Sequence, residues 1–164
     1  DINLLAYHLP LDAQPELGNN AQLARQLDWV AEPAPQGRFG EQALGWLGRS
    51  RQAFENAEAL ARDIERRLGR SVTLVDAPGR APRRIAWCTG GAQSYFEAAI
   101  AAGADVFVTG EISEPQAHYA RECGVAYIAC GHHASERYGA PAVAAHVAAQ
   151  LGLVHTFIDV PNPA

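Results

Sequence analysis

From Arg84 onward one pattern repeats three times: a short apolar run, a turn of small or charged residues, and a stretch with helical spacing. The runs are residues 85–88, 105–108 and 125–130, and the helical stretches cover 95–102, 114–123 and 141–151. Strands joined through helices pair in parallel, because a parallel partner needs a long crossover where an antiparallel one needs only a tight turn. The expectation is an α/β layered fold of strands alternating with helices. All three strand-to-helix turns then gather at the C-terminal ends of the strands, where open α/β sheets bind ligands.

Those turns read Thr89-Gly90-Gly91-Ala92-Gln93-Ser94, Thr109-Gly110-Glu111-Ile112-Ser113 and Gly131-His132-His133-Ala134-Ser135-Glu136. If a helix has begun by His132, the four-residue step to Glu136 puts both side chains on one face. An imidazole nitrogen and a carboxylate oxygen there suit a divalent metal. The alternative is a pair of loop histidines and a glutamate that favours a helix N-terminus through the macrodipole. Gly90 and Gly91 let backbone amides approach an anion, although a plain tight turn accounts for them equally well. The sequence holds no lysine, so this is not a Walker loop. Glu111 reads as a general base, a metal ligand or a capping residue. His118 reads as structural.

Upstream, residues 2–9 are apolar without helical periodicity and lead into Pro10, which reads as a buried strand. His8 and Asp12 at its end form a second candidate ligand group, with a turn or cap as the other role for Asp12. A helix is expected over 21–29, with Asn19 or Asn20 as its cap. Residues 39–47 read as a strand pair or a bent strand. The clearest amphipathic helix covers 53–68 and ends at Gly69. Strands are expected at 72–75 and 154–158, with a Pro/Gly loop at 76–82.

With 164 residues, 48% of them hydrophobic, the chain can bury a core as one domain, divided here into 1–76 and 77–164. A net charge of -5 gives no overall footprint for nucleic acid. The arginines between Arg62 and Arg84 read as a solvated face balanced by Asp63 and Glu65. Three cysteines without paired spacing fit a reducing cytoplasm and small core roles. No apolar run approaches the roughly 18 residues of a membrane span. The chain starts Asp-Ile-Asn and has no methionine, so a piece of a longer protein is expected.

Taken together, residues 8–12 (His-Leu-Pro-Leu-Asp), 15–20 (Pro-Glu-Leu-Gly-Asn-Asn), 87–91 (Trp-Cys-Thr-Gly-Gly), Gln93-Ser94, 109–111, 131–137 and the tail 157–164 resemble one family. It is the GTP cyclohydrolase 1 type 2 family, also called Nif-three-like, in its short bacterial form. The resemblance runs the length of the chain. It implies two pseudo-related α/β lobes with a cleft between them that holds two divalent metal ions, of zinc, iron, manganese or nickel. Carried over residue by residue, Asp12, His132 and Glu136 are the metal ligands. His8 lies beside them in a position to orient a ligand or pass a proton, and with Glu111 is the candidate catalytic residue. The family's upstream His-His pair has no counterpart here, in keeping with an incomplete N-terminus. The implied function is metal-dependent hydrolysis of a nucleotide such as GTP, or a related heterocycle, by a cytoplasmic homohexamer. Two alternatives are a metal (iron) delivery protein without turnover and a ring scaffold contacting nucleic acid; the negative net charge weighs against the second.

Overall fold

The computed structural model describes residues 2–163. In chain order the elements are helices α1 (Leu9–Ala13) and α2 (Asn19–Gln26), and strands β1 (Trp29–Ala31), β2 (Arg38–Phe39) and β3 (Gly45–Ser50). Helix α3 (Ala57–Leu68) and strands β4 (Thr73–Val75) and β5 (Ile85–Trp87) follow. The rest alternates: α4 (Phe96–Ala101), β6 (Val106–Thr109), α5 (Glu114–Cys123), β7 (Ala126–Ala129), α6 (His132–Glu136) and α7 (Gly139–Leu151).

All seven strands join one sheet in the order β1-β3-β5-β6-β7-β4, with β2 paired to β3. The middle is parallel as expected: Ile85 faces Val106, and Val106 faces Ala126. The flanks are not. β3 runs antiparallel to β5 and β4 antiparallel to β7, so the sheet is mixed and takes strands from both 1–76 and 77–164. β3 and β4 nevertheless point the same way, one on each side of the parallel trio, because α3 carries the chain across the sheet between them.

The period of two along the central strands divides the core. On one face Ile85, Trp87, Val106, Val108 and Ile128 pack with Leu23 and Leu27 of α2 and Leu60 and Ile64 of α3. On the other, Ala86, Cys88, Phe107 and Tyr127 pack with Phe96 and Ala99 of α4 and Ala120 of α5. Strands covered on both faces read as unbroken apolar runs, which is why these three were visible in the sequence.

Several elements differ from the sequence expectation for local reasons. Helix α3 starts at Ala57 and not four residues earlier, because Asn56 caps it by accepting the Ala59 N–H at 2.8 Å. Gly69 closes it in the left-handed region at φ 71°. Helix α2 stops at Gln26, and Asp28 at φ 58° turns the chain into β1 where helix was expected. The ambiguous 39–47 stretch resolves as the β2–β3 pair. Pro10 does not end a strand; it starts α1, where its missing N–H costs nothing. Residues 2–7 form no strand and are exposed, and residues 154–158 likewise. Cys88 and Cys130 are core residues as expected, but Cys123 is exposed, and so is His118.

Within the stretch from Arg62 to Arg84, Arg62, Arg66, Arg67, Arg80 and Arg84 meet acidic partners. Asp63, 8% exposed, takes Arg66 and Arg67, while Glu32 takes Arg84 through two 2.8 Å bonds. Arg62 reaches Glu58 at 3.4 Å. No helix among the described residues is long and apolar enough to cross a membrane.

Ile2, Leu4, Leu5, Val154, Ile158 and Val160 are each at least two-thirds exposed, a large apolar surface for a soluble monomer. The 164-residue chain produced alone is therefore expected to self-associate, seen as a sedimentation coefficient that rises with concentration. Replacing Leu4, Leu5, Ile158 and Val160 with serine is expected to suppress this. A monomer at every concentration would contradict it.

Candidate metal centre

The three turns after β5, β6 and β7 do lie side by side, and their backbones continue the sheet's ladder past the strand ends. Gly110 N–H donates to Gly90 O and Gly131 N–H donates to Gly110 O, both at 2.9 Å. Glycine is required where they meet. A Cβ on Gly110 would lie 2.6 Å from Gly90 O and 2.7 Å from His132 Cα. One on Gly90, at φ 70°, would run into the Glu136 carboxylate. Ser135 ties the outer turns together: its hydroxyl accepts the Gly90 N–H at 2.9 Å and donates to His132 O at 2.9 Å.

His132 and Glu136 are the first and last residues of α6, so the helical step places them on one face. His132 Nε2 lies 3.3 Å from Glu136 Oε2. On the far side of the ring, His132 Nδ1 lies 2.6 Å from Glu111 Oε1. The Glu111 bond comes first and Glu136 also contributes in raising the His132 pKa above the usual imidazole value. Glu111 is correspondingly lowered, by His132 first and then by Gln93.

Asp12 is reached from the other end of the chain. Its carboxylate is 7% exposed and accepts a 2.7 Å bond from Asn19 Nδ2. Neither asparagine caps α2 through its side chain, as the sequence suggested; both are buried and hold the site. Asn19 Oδ1 accepts the Gly139 N–H at 3.1 Å, which docks α1 and α2 against α7. Asn20 donates to Asp12 O at 3.3 Å and Leu44 O at 3.2 Å, and accepts the Thr89 N–H at 3.0 Å. These roles were missed because an Asn-Asn pair after a glycine also fits a turn; no periodicity signals a buried amide. Asn20→Ala strips three buried backbone groups of a partner at about 1–3 kcal/mol for each group left unsatisfied. It is expected to lower unfolding stability in urea by at least about 2 kcal/mol.

A cleft of about 620 Å³ brings His8, Asp12, Cys88, Thr89, His132 and Glu136 onto one wall system. Tyr95 and the Gly40-Glu41-Gln42 loop line the rest. Glu111 does not line it. Burial first, then the charge of Asp12, raises the Glu136 pKa. Burial, with Asp12 and Glu136 adding to it, pushes the Cys88 thiol up to about 12, so it stays protonated. A buried and a half-buried carboxylate repelling each other beside an imidazole form an arrangement that a divalent cation relieves. In donor chemistry Asp12, His132 and Glu136 fit a metal ion. They form an open arrangement, for among the described residues no three His, Cys, Asp or Glu side chains gather closely enough to hold one.

The sequence profile of the family described as Duf34/NIF3 (NGG1p interacting factor 3) matches residues 1–163. A protein from Pseudomonas aeruginosa named GTP cyclohydrolase 1 type 2 homolog is 51% identical over 164 residues, covering all of this chain and 64% of that protein. A protein of the same name from Escherichia coli (strain K12) is 46% identical over 167 residues, with 100% and 64% covered. The chain thus spans about two-thirds of the length of these relatives. Among solved structures, the protein ybgI, of unknown function, superposes with a TM-score of 0.89 at 46% identity, covering 100% of this chain and 64% of that one. TTHA1606 from Thermus thermophilus gives a TM-score of 0.78 at 29% identity, with 99% and 63% covered. On its sequence and its fold, the chain belongs to the Duf34/NIF3 family.

Proposed function

We propose that this chain carries part of a centre for two divalent metal ions and that the full-length protein is a metal-dependent hydrolase of a nucleotide or related heterocycle. The observation that carries the reading is the meeting of Asp12, His132 and Glu136 in one cleft, from segments more than a hundred residues apart in sequence. Asp12, His132 Nε2 and Glu136 would hold metal in this chain. Paired divalent ions supply a water of lowered pKa and a clamp on the oxygens of the displaced group.

The chain's own side chains have three tasks in such a reaction. Asn19 and Asn20 hold Asp12 at the cleft wall. Glu136, partly buried, faces Asp12 and His132. His8, exposed at the start of α1 and lining the same cleft, is placed to take up or deliver a proton at its ring nitrogen. No arginine is among the residues that line this cleft, while Arg137 follows Glu136 in sequence and lines the adjoining hollow together with His132 and Glu136. The hydrolysis screen covers nucleotides together with unphosphorylated nucleosides and bases.

The second reading, metal delivery without turnover, draws on the position of Glu111. Its carboxylate is engaged by His132 and Gln93 and lies off the cleft wall, so it is poorly placed to take a proton from a water in the cleft. The test is metal content of the full-length protein purified without chelator, followed by the screen on the same sample. Bound metal with turnover is the expected result. Bound metal with no turnover moves the assignment to delivery, and no bound metal overturns both readings.

A further inference from the structure

We propose that Glu111 is a positioning residue: it holds His132 with its proton on Nδ1, so that Nε2 presents its lone pair to the cleft beside Glu136. The inference rests on the metal-binding reading above for its purpose, but its geometry stands independently. Glu111 Oε1 meets Nδ1 at 2.6 Å, while Nε2 is the nitrogen on the Glu136 side at 3.3 Å. A neutral imidazole has one N–H and one lone pair, so the partner of one nitrogen decides what the other offers. A carboxylate accepts only and draws the proton to the nitrogen it faces; two carboxylates flank this ring, and Glu111 at 2.6 Å from Nδ1 holds the proton against Glu136 at 3.3 Å from Nε2. Outer carboxylates orient metal-bound histidines in this way, and losing one costs about 10–100-fold in metal affinity.

The surroundings show that Glu111 is itself held for this contact. Gln93 Nε2 donates to Glu111 Oε2 at 3.3 Å and to Ser113 Oγ at 3.4 Å. Gln116 Nε2 anchors the Gln93 backbone at 3.2 Å. Tyr127 OH donates to Glu111 O at 2.6 Å, fixing the backbone beneath the side chain. A Cβ on Gly91 would stand 3.3 Å from the Glu111 carboxylate, so the glycine leaves it room. Gln93 thus holds the Glu111 carboxylate directly and is itself anchored by Gln116, while Tyr127 fixes the Glu111 backbone, and the carboxylate faces the His132 ring.

The experiment is nitrogen-15 NMR of the His132 ring in the full-length protein, metal-free at alkaline pH and zinc-loaded, with zinc affinity measured by chelator competition. Wild type is expected to show protonated Nδ1 in both states. Glu111→Ala is expected to mix the tautomers and weaken zinc binding about 10–100-fold. Glu111→Gln, whose amide oxygen can accept the same hydrogen bond, should restore the tautomer and most of the affinity. Circular dichroism of all three proteins identifies a folding defect. If Nδ1 is unprotonated in the wild type, or Glu111→Ala leaves the tautomer unchanged, the proposal is overturned. If wild type binds no zinc, the metal reading fails, while the metal-free tautomer still decides the role of Glu111.

Discussion

Asp12→Ala and Glu136→Ala are each expected to strip the full-length protein of metal, read as moles of metal per chain by elemental analysis. The expected loss in affinity exceeds the about 10–100-fold that removal of an outer hydrogen bond costs, because a direct ligand and its charge both go. The two changes also act differently on the metal-free protein. Burial and then the charge of Asp12 disfavour the charged Glu136 carboxylate, so either alanine removes a repulsion as well as a ligand. Metal-free Glu136→Ala is accordingly expected to unfold at a urea concentration no lower than wild type. Asp12→Ala gives up the 2.7 Å bond from Asn19 and leaves a buried amide donor unpaired, a cost of about 1–3 kcal/mol. Metal content equal to wild type in either variant would remove that residue from the centre.

How much of this was legible in the sequence depends on what each residue packs against. β5, β6 and β7 announced themselves because both their faces are covered, and the parallel pairing that follows gathers their turns on one edge. Residues 2–7 and 154–158 are just as apolar, and the same reading made them strands, yet they are exposed. Apolarity records that a segment favours burial and says nothing of what covers it. The flanking strands β3 and β4 were expected as strands, but not their antiparallel pairing with β5 and β7, since nothing in a strand's own residues names its partner; the three-residue β1 was missed within the expected helix end. Within the site, His132 and Glu136 were readable because four residues make one helical step. Asp12 was a candidate from its place beside His8 at the end of an apolar run, and the resemblance joined it to His132 and Glu136. Glu111 was noticed, but its partner lies 21 residues away, and only the registered turns of β6 and β7 bring the carboxylate to the back of the ring.

Trp87→Ala is expected to be the most damaging single change in the core, and its effect should reach the metal site. Trp87 is fully buried in β5, at the middle of the sheet, with the Trp29 ring centroid at 5.3 Å and that of Trp46 at 5.9 Å. Truncating such a side chain costs about 3–5 kcal/mol, a large share of the roughly 5–15 kcal/mol that holds a domain folded. The ring also donates from Nε1 to Asn20 O at 3.1 Å, and Asn20 is the residue whose amide joins Asp12, Leu44 and Thr89. Trp87→Phe keeps most of the ring contacts and loses that bond. It should cost less in stability, about 1 kcal/mol for the bond plus the smaller cavity, and still loosen the support of Asp12. Urea unfolding separates the two variants by midpoint, with the slope unchanged if only stability has moved. Metal titration should show the weakened support as a lower affinity in Trp87→Phe even where the fold is intact. A loss below about 1 kcal/mol for Trp87→Ala would mean that the tryptophan cluster is not the keystone of this core. Full stability loss with unchanged metal affinity in Trp87→Phe would show instead that Asn20 is held well enough by its own side chain.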